Sequence, residues 1–99
     1  MNNLKRDLKS LSRARREIYK EEDLAKIGFN NLERLGVLTK AKEDKYFKKI
    51  KALKKDLEAI DSFLNDLFLE AQAQGVSVED FNIINLQCLD ELDLEEKQG

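Results

Sequence analysis

Tyr46, Ile50, Leu53, Leu57, Ile60, Leu64, Leu67 and Ala71 are separated by alternating steps of four and three residues. An α-helix turns once every ~3.6 residues, so apolar side chains spaced about 3.5 apart form a seam along one side of it. Nothing interrupts the series before Gly75, a residue suited to ending a helix. The spacing predicts one long helix over about residues 39–74.

The first third of the chain carries the same period with two polar intrusions: Leu4, Leu8, Leu11, Arg15, Ile18, Glu22, Ala25, Phe29 and Leu32. A second long helix over about residues 4–35 follows. Folding one helix back on the other through Gly36–Thr39 opposes positions whose numbers sum to about 75. Leu4 then meets Ala71, Leu8 meets Leu67, Leu11 meets Leu64, Ile18 meets Leu57, Ala25 meets Ile50 and Phe29 meets Tyr46. Seam meets seam at every layer, as an antiparallel pair requires. Arg15 faces Ile60 and Glu22 faces Leu53, where long stems pack while the charged heads reach Asp61 and Lys54. In the competing reading the first helix ends near Lys20, and Asp23 caps a short helix that turns residues 24–35 onto another face.

Beyond Gly75, Ser77 and Asp80 stand at the spacing of an N-terminal cap, and Phe81, Ile84, Cys88 and Leu92 form one more apolar stripe. Phe63 and Phe68 widen the apolar face of the long helix where a returning helix would lie. The expected fold is therefore all-α. A long antiparallel hairpin (about 4–35 and 39–74) carries a shorter third helix (about 78–92) on its base, leaving a two-helix protrusion around residues 22–52. One domain spans 1–92, and 93–99 form a fraying acidic tail.

Composition agrees with helices: of 99 residues 41% are apolar and 38% charged, with no proline. The charge is poorly mixed. Residues 1–55 carry 17 Lys/Arg against 8 Asp/Glu, whereas residues 56–99 carry one lysine against 12 acids. The hairpin register sets Lys5, Arg6, Lys9, Arg13 and Arg16 beside Asp56, Glu58, Asp61, Asp66 and Glu70. It also sets Glu17, Glu21, Glu22 and Asp23 beside Lys51, Lys54 and Lys55. Cross-hairpin pairing of these blocks is the expected reason for the asymmetry.

Candidate chemistry is sparse. The chain has no histidine, which removes the commonest general acid–base group and metal ligand. Its single cysteine, Cys88, lies on an apolar stripe, and no phosphate-binding glycine loop or calcium-loop spacing occurs. A non-enzymatic protein without cofactor, metal or small-molecule substrate is expected. No stretch reaches the ~18 apolar residues of a membrane span, and the first residues lack a signal-peptide apolar core. With one cysteine, these features point to the cytoplasm.

Two surfaces remain as functional candidates. If the first helix is continuous, Leu24, Ile27 and Leu35 lie off the seam, and Gly28 admits a close backbone approach. These four residues are the candidate contact for a protein partner or a second copy of the chain. Lys42, Lys45, Lys48, Lys49, Lys51 and Lys55 are the alternative, holding the phosphates of a nucleic acid without reading base sequence, with the acidic C-terminus competing for them.

Overall fold

The computed structural model describes residues 2–98, and these form three helices: α1, Asn2–Arg34; α2, Lys40–Ala73; and α3, Val78–Gln98. Local signals account for each boundary. At the end of α1, Gly36 adopts φ 73°, donating its N–H to the Glu33 carbonyl while Val37 donates to Leu32. Gly75 repeats this at φ 94°, with Gly75 bonded to Gln72 and Val76 to Ala71. Both are paired closures in which a left-handed residue satisfies the last free carbonyls of a helix. The Thr39 side chain accepts from the Lys42 N–H, and Ser77 Oγ accepts from the Asp80 N–H, so each following helix starts on a hydroxyl cap.

α1 and α2 pack along the predicted seam. Each of its seventeen positions is buried or half-buried. At the distal end the rings of Phe29 and Tyr46 stack with centroids 4.3 Å apart, and Arg15 reaches Asp61 at 3.7 Å. α1 runs without interruption through Lys20–Asp23, so the reading with a separate short helix does not hold. Glu22 turns to Lys26 at 3.0 Å rather than to Lys54, since a partner one turn away on the same helix is closer than one across the seam.

α3 departs from expectation in two respects. It lies chiefly along α1, with its chain direction parallel to that of α1, and touches α2 through Phe68, whose ring meets Phe81 edge-on at 4.9 Å. Phe63 is left 59% exposed instead of being covered. Nor does α3 fray after Leu92: it continues as helix to Gln98, with Gly99 outside the described residues. The reason is electrostatic. Lys5 and Lys9 hold Glu91 (3.0 and 3.7 Å), Lys9 and Arg13 hold Glu95 (2.7 and 2.9 Å), Arg16 holds Asp93 (2.7 Å), and Lys20 holds Glu96 (3.6 Å). These cations therefore serve α3 rather than the α2 acids expected of them. Of the predicted cross-hairpin pairs, Arg15–Asp61 forms.

The core sits at the base, where three helices converge. Leu4, Leu8, Ala71, Val76, Phe81 and Cys88 are buried together, backed by Leu64, Leu67, Phe68 and Ile84. The Cys88 thiol donates to the Lys5 carbonyl at 3.5 Å, and burial pushes its pKa up. Leu53 is the buried residue of the two-helix stretch.

Candidate docking site at the hairpin tip

Past Lys20, among the described residues, α1 is covered by α2 alone. A helix of 3.6 residues per turn sends side chains one and two residues away from its seam to the flank and the back. Leu24 and Ile27 flank the seam residue Ala25, and Leu35 follows the last turn. They stand 68%, 56% and 67% exposed, and a Cβ built on Gly28 would meet nothing within 4 Å. The four residues nominated from the sequence thus share the outer edge and one flank of α1 at the tip. Val37 and Phe47, at 48% and 53% exposed, extend the apolar surface around the bend. Phe47 packs its edge on Tyr46 at 5.4 Å, so the tip has a small aromatic centre of Phe29, Tyr46 and Phe47.

The lysines of α2 divide. Lys42, Lys45 and Lys49 form one wall of a shallow groove of about 360 Å³, opposite Ala25, Gly28 and Leu32, with the Phe29 and Tyr46 rings as its floor. Lys48 and Lys55 each follow a seam residue by two positions and point to the back of the helix, and Lys51 lies on the opposite flank. The six nominated lysines are consequently not one stripe. All are exposed, and among the described residues none has a carboxylate at ion-pairing distance. The expected neutralisation of Lys51, Lys54 and Lys55 by Glu17, Glu21, Glu22 and Asp23 does not occur. Lys26 alone at this end has its pKa raised, by the hydrogen bond to Glu22. The C-terminal acids do not compete for the tip lysines either, because they are held on α1 at the base.

Sequence reasoning missed the charge network between α1 and α3. There the hydrogen bond from Lys9 holds the Glu95 carboxyl below its ordinary value, Lys5 does the same for Glu91, and Asp93 raises Arg16. The signal was present: Lys5, Lys9, Arg13, Arg16 and Lys20 recur at helical spacing down one side of α1, as Glu91 and Glu95 do on α3. A second cleft, of about 390 Å³ between α1 and α3, is lined by Leu8, Ser12, Tyr19, Phe81 and Leu89. Its two arginines, Arg15 and Arg16, are already matched by Asp61 and Asp93.

Among the described residues no group of three His, Cys, Asp or Glu side chains is placed to hold a metal ion, and no helix is long and apolar enough to cross a membrane. What the tip offers is an unpaired cationic wall beside an exposed apolar edge. No family model, curated protein or solved structure matches this chain.

Proposed function

We propose that this chain is a small, non-enzymatic helical adaptor that self-associates and docks on a protein partner through its hairpin tip. The observation that carries the reading is the continuity of α1 through Lys20–Asp23, which leaves Leu24, Ile27 and Leu35 off the seam and open to solvent. Large apolar side chains grouped at one end of an elongated molecule suit a helix-on-helix contact. The surrounding lysines attract an acidic partner and speed its arrival. The cytoplasm is the proposed compartment.

The test pairs two variants in a pull-down from a cell lysate, each first checked for helicity by circular dichroism. Leu24→Asp with Ile27→Asp removes captured partners while the fold survives, since both positions are exposed. Lys48→Glu with Lys49→Glu leaves capture in place. The unpaired α2 lysines favour a second reading, nucleic-acid binding through phosphates. That reading takes over if duplex DNA binds with steep salt dependence and the lysine variant, not the leucine variant, abolishes binding.

A further inference from the structure

The hairpin has two broad faces, and α3 covers one of them at the base. The other runs open from end to end. Near the base, Asp7, Ser10, Leu11, Phe63, Asp66, Leu67 and Glu70 line one shallow groove of this open face. At the tip, Gly28, Lys42 and Lys45 line another. Gly28 lies three heptads after Asp7, Phe63 three heptads after Lys42, and Asp66 three heptads after Lys45. In a pair of helices wound on a 3.5-residue seam, whole heptads return to the same side. Both grooves therefore open on one face.

Along α2 this face reads Lys42, Lys49, Asp56, Phe63, Glu70 in one row and Lys45, Ala52, Ala59, Asp66, Ala73 in the next. It is basic at the tip and acidic at the base, and the sign changes halfway. Lys42, Lys45, Lys49, Asp66 and Glu70 are all exposed and, among the described residues, make no ion pair. Phe63, 59% exposed, is the large apolar side chain between the acids.

We propose that this face is covered by a second copy of the chain, lying antiparallel across a two-fold axis to make a four-helix bundle. The proposal rests on the self-association in the reading above and specifies its face and direction. Charge complementarity selects the direction. Antiparallel, Lys42 meets the second copy's Glu70 and Lys45 meets its Asp66, and both pairs place the axis at the same point, beside Asp56. That register also lays Lys49 over Phe63 and Ala52 over Ala59, small against small at the closest approach. In a parallel, tip-to-tip pair the two-fold axis would lay α2 over the second copy's α1, and Lys42 and Lys45 would lose Glu70 and Asp66 as partners. A two-fold through one face is also closed, needing no further copies. The molecule is 56 Å long, and two helices abreast are about 20 Å wide. That face is on the order of 1,000 Å², more than the ~800 Å² each partner buries in a standard stable interface. Its unfavourable feature is the meeting of two Asp56 carboxylates near the axis. Ile27, on the outer edge of α1, stays uncovered at each end of the dimer, whereas Leu24, two heptads after Ser10, and Leu35, one heptad after Gly28, lie on the covered face at its α1 side.

Analytical ultracentrifugation of charge-reversed chains tests the pairing. Lys42→Glu with Lys45→Glu, and separately Asp66→Lys with Glu70→Lys, each set like charges against each other four times in a two-fold dimer. Each weakens self-association at least ~100-fold. Mixing the two variants restores a dimer, because every reversed lysine now meets a reversed acid. Oxidative cross-linking tests direction. Residues 45 and 66 lie about 31 Å apart on one helix, beyond the reach of a disulfide within a chain. Lys45→Cys with Asp66→Cys therefore gives a covalent dimer, while Lys45→Cys alone does not, and Cys88 stays buried and inert. Cross-linking by Lys45→Cys alone, or failure of the mixture to re-associate while the parent chain is a dimer, overturns the antiparallel arrangement and leaves the docking reading standing. A parent chain that is monomeric at every concentration removes the self-association itself.

Discussion

At the base of the hairpin the apolar seam is sealed by a third helix; at the tip the same seam is shared by two helices only. Leu8 at the base is 1% exposed and Cys88 is fully buried, whereas the paired rings of Phe29 and Tyr46 at the tip stay half-buried. Charges divide in the same way. Every cation of α1 that faces α3 has found a carboxylate, and among the described residues none of the α2 lysines at the tip has. An identical heptad pattern therefore produces a stabilising core where three helices converge and a receptive surface where two do. The number of neighbours, not the local sequence, sets which end holds the molecule together and which end is available.

The contrast is sharpest in apolar truncations. Leu8→Ala removes a fully enclosed side chain and is expected to cost about 3 kcal/mol in urea unfolding. Phe29→Ala, in the half-open tip, is expected to cost about 1–2 kcal/mol. It should also speed amide hydrogen exchange around residues 25–50 without loosening the base. Equal losses at the two positions would mean that the tip is as well packed as the core.

Glycines divide the tip itself. Gly36→Ala forces a side chain into a left-handed backbone and is expected to lower stability by about 1 kcal/mol. Gly28→Ala, in the helical interior with open space beyond it, is expected to raise stability by about 0.5–1 kcal/mol. Thermal unfolding checks both signs. Leu24→Ala should change stability by less than ~0.5 kcal/mol, because the side chain is already in water.

The smallest effect expected is that of pH on the α1–α3 network. Glu91 and Glu95 have pKa values below those of an unfolded chain, through hydrogen bonds from Lys5 and Lys9. Their contribution is fully present above the unfolded carboxylate pKa, near 4.3. It is lost as pH falls through the lower folded values. Melting temperatures measured from pH 6 to pH 3 should drop less for Glu91→Gln with Glu95→Gln than for the parent chain. As the pairs are exposed, added salt should shrink the difference.

The seam was legible from Tyr46 to Ala71 and from Leu4 to Leu32 because burial against one neighbour imposes a period that a linear sequence displays. The Gly75 closure, the Ser77 cap and the place of the Gly36–Thr39 turn were equally legible, because each depends on fewer than six consecutive residues. The candidate site was legible only in its apolar part. Leu24, Ile27, Gly28 and Leu35 followed from their displacement off the seam, whereas the division of the lysines between groove, flank and back needed the positions of both helices. Phe63 was misjudged since nothing near it in sequence tells which side of the hairpin α3 will take.

By itself, then, the sequence determined that this chain is helical, where α1 and α2 stop and how they align, all of which rest on local conformation and on one repeating contact. The tertiary structure alone decided that α3 lies along α1, and through it which charges are quenched. Lys5 to Lys20 had acids within reach on both α2 and α3, and long flexible side chains carry no periodic mark of the partner they will meet. That choice went to the helix that arrived alongside, leaving the acids of α2 and the lysines of the tip to face outward.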